Sequence, residues 1–475
     1  MERFSGPDAL MYNMETPTTP MHTLKVAILD SCRRGQPVTL AELVDVLPRY
    51  LGRFPRATQK VVCAAGRRAR PFWVVDEDFD VRNHLDERTL AAPGGRTELD
   101  QLLSELAVAQ LDRRRPLWAL TLVGGVAGTP GELGERAIRQ AVVVRVHHAV
   151  ADGLAALNTL IAATSTAGGQ VAPAPICLTQ MPAPADLTRA ARAESRRLFG
   201  AIPSVVTDFA RAAKTGATEA VHHIPRPLTV RRTSLNTPSG GERVCASAGL
   251  AFAEIQRIAV AMETTVNGAL HGVIAGAMRA ELAARGDDLT HPSVTVFGVC
   301  RDLTSSRTYG NEIATAAAYL HTEIADPLQR VAATAESCAA TVRRRKQVGF
   351  ELTENVTAYT GRLAPIFRKI MAHRAPRIMN TITTANMPGP RERRWIGDIE
   401  VAEWISFALA IAPADVNLTT YSYAGTLSMG LIATPESMPD PHRFLARIAE
   451  ALAETKHALR AAGTLSESDL IKGEQ

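Results

Sequence analysis

His147 and His148 are adjacent, Asp152 follows His148 by four positions, and Gly153 comes next. Imidazole, with an ordinary pKa near 6.5, can take up and release a proton at neutral pH. A carboxylate a turn away can brace such a loop, by accepting hydrogen bonds or by pairing with a cation. The two histidines should not share one job, because neighbouring residues on an extended chain point to opposite faces. One can face a cleft while the other packs or hydrogen-bonds inward. A single histidine beside an apolar strand is usually structural. The full His-His-x-x-x-Asp-Gly spacing is a much more specific pattern than one histidine alone.

The surrounding residues say what must hold these groups. Val142, Val143, Val144 and Val146 form a β-branched run that reads as a buried strand ending at the histidine pair. Leu154, Leu157, Leu160 and Ile161 recur at helical spacing, so a helix follows Gly153. The pair therefore sits in a turn held by rigid elements on both sides. This pattern resembles the active-site motif of the acyltransferases related to chloramphenicol acetyltransferase and to peptide-synthetase condensation domains. The resemblance implies that His148, the second histidine, is the general base. It also implies that Asp152 points away from substrate and holds the loop through an ion pair. Arg301, at the end of a second-half strand, is the expected partner.

The 475 residues are 46% hydrophobic, which is too much chain for one ordinary core and predicts two subdomains. A net charge of +5 is small for this length, and neither zinc-finger spacings nor an aromatic-basic RNA motif occurs, so nucleic acid is not an expected partner. Such mild basicity suits an acidic cosubstrate such as coenzyme A, or an anionic lipid surface. Cys32, Cys63, Cys177, Cys245, Cys300 and Cys338 are dispersed without a Cys-x-x-Cys and read as reduced thiols of a cytoplasmic protein. Met1 to Pro20 lacks the apolar core of a signal peptide. The longest uncharged apolar stretch, Trp404 to Ala414, is far short of the ~20 residues a membrane span needs.

In chain order, a strand is predicted over Leu24 to Leu29. Thr39-Leu40-Ala41-Glu42 is a capping box opening a helix with Leu43, Val46 and Leu47 on its apolar face. Pro71 to Val75 reads as a strand, a helix opens at Thr97-Glu98, and another strand follows Pro116-Leu117-Trp118. A Gly/Ala/Pro-rich linker, Ser165 to Pro184, leads into a basic, moderately amphipathic stretch from Ala185 to Lys214. That stretch includes Leu187, Leu198, Phe199, Val205, Val206 and Phe209 among Arg189, Arg192, Arg196, Arg197 and Arg211. It could lie on a lipid surface, although a crossover packed on its own protein is the favoured reading. The second half predicts a strand from Val244, a long helix opened by Thr265-Val266-Asn267-Gly268, and a strand over Val294 to Val299. A strand from Asn380 to Ala385 should lead into Asn386-Met387-Pro388-Gly389-Pro390. A hairpin turned at Ala424-Gly425 and a closing helix over Arg443 to Ala462 complete the order. Strands and helices interleave in both halves, so the fold class is α/β or α+β with mixed sheets.

Together Pro20-Met21-His22, Pro116-Leu117-Trp118, His147 to Gly153, Asn386 to Pro390 and the Asn417…Tyr423…Gly425…Gly430 ending resemble the bacterial wax ester synthase/diacylglycerol acyltransferase family, over nearly the whole chain. The resemblance implies two similar chloramphenicol-acetyltransferase-like subdomains, residues 1–184 and 244–475, joined by a helical crossover at 185–243. It places the active histidine in a tunnel between them, with acyl-CoA entering from one face and diacylglycerol or a long-chain alcohol from the other. His148, His147 and Asp152 would form the catalytic motif. Gly153, Pro116, Leu117, Trp118 and Asn267 would contact substrate. The family's Asn-Asp pair aligns with Asn267-Gly268, so the aspartate is missing here. No metal and no cofactor is expected, acyl-CoA being a substrate. Attachment is expected to be peripheral, at the inner face of the cell membrane or on lipid droplets.

The chemistry suits these residues. An alcohol attacks a thioester at neutral pH only if its proton is removed as the bond forms, and a neutral imidazole can accept it. No nucleophilic serine stands in a Gly-x-Ser-x-Gly elbow, and the donor for the tetrahedral oxyanion is not identified by pattern. Three rival readings stand beside this one: a lipid-binding or droplet-coating protein that has kept the fold without activity, a polyketide- or peptide-associated acyltransferase using a carrier-protein thioester, and a metal hydrolase ligated by His147, His148 and Asp152. The intact histidine motif argues against the first and the family segments against the second. The divergence of adjacent histidines on a strand argues against the third.

Overall fold

The computed structural model describes residues 2–64, 70–127, 138–176, 182–203, 207, 224–225, 230–237, 240–350, 354, 356–358, 381–411 and 414–463. Cys177, Val205, Val206, Phe209, Arg211, Lys214 and Asn380 lie outside the described residues. The first half contains β1 (Glu2–Arg3), α1 (Gly6–Met14), β2 (His22–Asp30), α2 (Leu40–Val46), β3 (Gln59–Val62), β4 (Phe72–Val75), β5 (Leu85–Thr89), α3 (Arg96–Val108), β6 (Trp118–Gly124), β7 (Arg139–His147) and α4 (Gly153–Ala163). The crossover carries α5 (Pro184–Gly200). The second half contains β8 (Val244–Ala251), α6 (Phe252–Ala261), α7 (Val266–Ala284), β9 (Val294–Cys300), β10 (Ile313–Tyr319), α8 (Pro327–Val348), β11 (Ile382–Pro388), β12 (Arg394–Ile396), β13 (Ile399–Phe407), β14 (Val416–Tyr423), β15 (Thr426–Ala433) and α9 (Pro441–Ala461).

Two six-stranded mixed sheets carry this α/β fold, ordered β12-β13-β2-β7-β6-β5 and β10-β9-β11-β14-β15-β8. In the first, only β5 and β6 run parallel. In the second, β11 runs parallel to both its neighbours. Each half thus centres on one sheet, but the sequence boundary is crossed. Strands β12 and β13 come from the second half and extend the first sheet, with Trp404 opposite Ala27 and Phe407 opposite Leu24. The reason lies in β2, which is buried along all nine residues. A strand so enclosed needs hydrogen-bonding partners on both edges, and β7 supplies only one.

Local signals set most of the elements. Thr39 closes its capping box with Glu42 as its spacing predicts, yet α2 buries none of its residues and Val46 stays exposed. Its predicted apolar face is therefore only partly used, with Leu43 against the core. Strand β11 runs beyond the predicted Ala385 to Pro388, because Asn386, Met387 and Pro388 stay in register with Thr420, Tyr421 and Ser422. At the β14–β15 turn Ala424 has φ +47° and Gly425 φ +86°, the two positive values a tight two-residue hairpin needs.

The cores show how the halves meet. Leu270, Val273, Ile274 and Met278 of α7 fill the second half with Leu418, Leu431 and Phe444. A separate seam joins Leu154, Leu157 and Leu160 of α4 to Leu29 on one side and to Met387, Tyr421 and Tyr423 on the other. Each buried leucine or methionine there contributes about 1.5–3 kcal/mol, so the seam is a firm contact. Asp100 of α3 reinforces it elsewhere, accepting from the Ser247 backbone N–H (2.9 Å) and hydroxyl (2.7 Å).

Candidate active site

Strand β7 ends at His147, and the next residues fold into a hydrogen-bonded turn. The His147 N–H donates to the Leu117 carbonyl (3.0 Å), His148 N–H to the Met21 carbonyl (2.7 Å) and Val150 N–H to the His147 carbonyl (2.8 Å). Helix α4 then starts at Gly153, capped by Asp152 Oδ1, which accepts from the Ala155 N–H at 3.0 Å. The strand–turn–helix order matches the sequence reading.

The two histidines diverge as the pleat requires. His147 is fully buried, and its Nδ1 accepts from the Ala149 N–H at 3.0 Å. Among the described residues its Nε2 has no hydrogen-bond partner, and a Glu15 carboxylate oxygen lies 3.8 Å away. Burial, then the nearby Arg113, pushes its pKa well below the usual value and keeps it neutral. His148 is half-buried and faces the second half, its Nδ1 2.9 Å from Asn311 Oδ1. Burial also lowers the His148 pKa, against the pull of Asp152 and with a further push from Lys25.

Asp152 is buried and takes three donors: the Ala155 N–H, the Glu312 N–H (2.9 Å) and the Arg307 guanidinium (2.5 Å). Its partner is thus Arg307, not Arg301. The β9–β10 hairpin edge leaves Arg301 exposed over the Phe350 ring. Its loop then bends back onto α4, where Asn158 donates to the Ser305 and Arg307 carbonyls (2.7 and 2.9 Å). Further along, Gly310 N–H donates to Val150 O (2.7 Å) and accepts from Asp152 N–H (3.2 Å) through its own carbonyl. The second half therefore grips the histidine loop over residues 305–312.

Gly153 belongs to the same junction. Its carbonyl accepts from the Tyr421 hydroxyl at 2.9 Å, and a Cβ on it would lie 3.2 Å from that oxygen and 3.4 Å from Met387. Beneath Tyr421, Lys25 is buried and donates to Ser406 Oγ (2.5 Å); burial pushes its pKa down to about 8, against the pull of Asp152.

Leu117 is buried with Ala149 and Val150 under the turn. Pro116 is buried beside it, whereas Trp118 stacks on His84 (4.4 Å between centroids) and donates to the Ala57 carbonyl (2.8 Å). Asn267 accepts from Asn386 Nδ2 (3.2 Å) on the α7 face of the second sheet, while Met387, the next residue of β11, faces Gly153. The sheet thus stands between Asn267 and the histidine loop. Gly268 is explained by packing: a Cβ there would lie 2.8 Å from Thr264 Oγ1 and 2.9 Å from Ala335 Cβ. Asp8, Lys25, Arg307, Asn311 and Tyr421 were not singled out by pattern. Only Asp8 carried a local signal, the capping box Ser5-x-x-Asp8.

Comparison with known proteins bears on the whole chain. Residues 4–270 match the wax ester synthase/diacylglycerol acyltransferase catalytic domain, and residues 309–456 the WS/DGAT C-terminal domain. A Mycobacterium tuberculosis H37Rv protein named "Putative diacyglycerol O-acyltransferase" is 28% identical over 481 residues, covering 99% of each chain. Among solved structures, the wax ester synthase/diacylglycerol acyltransferase of Marinobacter aquaeolei VT8 superposes with a TM-score of 0.67 at 21% identity, covering 96% of this chain and 99% of that one. The starter condensation domain of rhizomide synthetase, solved with C8-CoA and Leu-SNAC, gives 0.56 at 13% identity, covering 96% and 94%.

Proposed function

The chain belongs to the wax ester synthase/diacylglycerol acyltransferase family, and we propose that it moves a long-chain fatty acyl group from coenzyme A to diacylglycerol, and to long-chain alcohols, with His148 as general base. The observation that carries this reading is the place of His148 where the two halves meet, on a turn that both of them hold, with burial lowering its pKa. In this scheme His148 Nε2 takes the hydroxyl proton as the alcohol oxygen attacks the thioester carbonyl, whose π electrons move to oxygen. The tetrahedral oxyanion collapses, the C–S bond breaks, and the imidazolium returns the proton to the departing thiolate. Asp152 stays outside this proton path, since its oxygens are committed to Arg307, Glu312 and Ala155.

Acyl-CoA is the expected donor. The rhizomide synthetase neighbour with C8-CoA bound supports a CoA thioester on this fold. A tunnel between the halves, with the acceptor entering opposite the CoA, would hold both substrates in line, the main advantage of a ternary complex. The lipid acceptor suggests peripheral attachment of a cytoplasmic enzyme to a membrane or lipid-droplet surface. Among the described residues no single helix is long and apolar enough to cross a membrane. Helix α5 supports surface attachment by exposing Arg189, Arg192, Arg196, Arg197 and Phe199.

Purified protein incubated with labelled palmitoyl-CoA and either diacylglycerol or hexadecanol should give triacylglycerol and wax ester. Release of CoA without either product would overturn the acceptor assignment. Unchanged turnover in His148→Ala would overturn the base.

A further inference from the structure

Asn311 has every hydrogen-bonding group of its side chain committed, and the pattern dictates which atom is which. Nδ2 lies 2.7 Å from Asp8 Oδ1 and 2.7 Å from the His148 carbonyl oxygen. A peptide carbonyl only accepts, so the atom facing it must be the amide nitrogen. Oδ1 is then the atom 2.9 Å from His148 Nδ1. An amide oxygen also only accepts, so Nδ1 must carry the imidazole proton. The lone pair of neutral His148 is left on Nε2.

We propose that Asn311, oriented by Asp8, is a positioning residue that fixes His148 in its Nδ1–H tautomer and presents Nε2 as the base. This rests on His148 being the base, as proposed above.

Both supports are themselves anchored. Asn311 follows Gly310, whose backbone is bonded to Val150 and Asp152, so the amide is registered to the histidine turn from the second half. Asp8 sits in the first turn of α1, where Oδ2 accepts from the Ser5 N–H (3.3 Å) and Ser5 Oγ accepts from the Asp8 N–H (3.1 Å). The capping box leaves Oδ1 for Asn311. A neutral amide between carboxylate and imidazole has a chemical advantage. A carboxylate touching the ring would favour the protonated imidazole at rest and raise its pKa. One hydrogen bond further away, Asp8 orients the amide dipole and supports the imidazolium only as it forms. Asn311 therefore does more than tie two loops together.

The first test is spectroscopic and uses the wild-type protein. With ring-15N histidine and the His148 signals assigned by difference from His148→Gln, a protonated Nδ1 and bare Nε2 are expected at pH 8. The opposite tautomer would overturn the proposal even if no variant folds. The second test is kinetic. Asn311→Leu should lower kcat roughly 10–100-fold, the scale of outer partners that orient histidines, with KM for palmitoyl-CoA little changed. Asp8→Asn keeps one acceptor oxygen for the Asn311 amide and should therefore lose less kcat than Asn311→Leu. A folded Asn311→Leu enzyme at full kcat would overturn the positioning role. If His148→Ala is inactive alongside it, the base assignment survives; if His148→Ala is also fully active, the base assignment itself has failed.

Discussion

His148 and His271 are both buried or half-buried imidazoles, one in each half, and both are pushed toward the neutral form mainly by burial. Their surroundings differ. His271, on α7, has Nδ1 2.7 Å from the Asn267 carbonyl and Nε2 2.8 Å from Thr384 Oγ1, which in turn lies 2.8 Å from Thr295 Oγ1. Both nitrogens are used inside one half, and the ring packs near Phe297. His148 is held through Nδ1 by a residue of the opposite half and sits on a turn rather than in a helix core. Burial alone therefore does not mark a working histidine. In the proposed mechanism, what sets His148 apart is a nitrogen left for proton transfer at the seam between the two sheets.

The largest expected effect breaks this comparison at its centre. His148→Ala should lower kcat by 10²–10⁴-fold, the usual contribution of a general base. His271→Leu should leave kcat near wild type and cost about 1–3 kcal/mol in stability, the penalty of stranding buried polar partners. Thermal melts and turnover measured on both variants separate the outcomes. A reversed pattern would mean that the roles had been read from the wrong half.

Next comes the brace. Arg307→Ala strips the guanidinium from a fully buried carboxylate, and removing one partner of such a pair costs about 3–5 kcal/mol. The melting temperature should drop sharply, with activity lost in proportion to unfolding. Equal stability would show that Asp152 is sufficiently held by the Glu312 and Ala155 N–H groups. Arg301→Ala, at the exposed position, should change little.

The contrast between these arginines shows where sequence reading succeeds and where it stops. The Val-rich run, the turn and α4 were legible because strand period, glycine and helix period are local. Thr265, which caps α7, and the hairpin at Ala424-Gly425 were legible for the same reason. Arg307 and Asn311 meet the histidine loop across separations of 155 and 163 residues, and no spacing rule reaches that far. Arg301 had the better local credentials, at the end of a strand, and lost because the hairpin edge carries it away. The move of β13 into the first sheet was hidden likewise, since its partner β2 lies in the other half of the sequence.

Gly268 sharpens the comparison between halves at lower cost. The family's Asn-Asp pair here reads Asn267-Gly268, which by sequence alone could signal altered activity. In the structure α7 and α8 approach so closely at Gly268 that any Cβ meets Ala335 at 2.9 Å. Gly268→Asp should therefore destabilise by about 1–3 kcal/mol, the range for overpacking, without raising kcat. A stable, faster Gly268→Asp enzyme would show that the second half's helix start contributes to turnover.

Lys25 tests the electrostatics of the seam. It lowers the His148 pKa, which in the proposed mechanism helps keep the base unprotonated. The base must be neutral to work, and activity is lost as pH falls through its pKa, which lies below the usual 6.5. Lys25→Met removes a positive charge, so the His148 pKa should rise and the acid limb of kcat/KM should move to higher pH. A limb that stays in place would mean that Lys25 does not reach His148 electrostatically.

The smallest effect per side chain concerns the two faces of α5. Leu187 and Leu198 are buried, and Glu194 is buried against Arg70 at 2.6 Å, so one face packs on the protein. The other face leaves Arg189, Arg192, Arg196 and Arg197 in solvent beside Phe199, which is 69% exposed. Packing and lipid attachment are thus compatible, because they use different sides of one helix. Each arginine near an anionic surface adds about 1 kcal/mol, and an inserted aromatic adds apolar area. The attraction is screened beyond ~8 Å at physiological ionic strength, so it should weaken as salt rises. Flotation on anionic vesicles should therefore be strong at low salt, weaker at high salt, and reduced when all four arginines become Gln. Phe199→Ser should reduce it at both salt concentrations, because its contribution is not electrostatic. Equal flotation of wild type and the fourfold variant, on neutral and anionic vesicles alike, would reduce this face to solvation of a packed crossover and send the search for a lipid contact elsewhere on the protein.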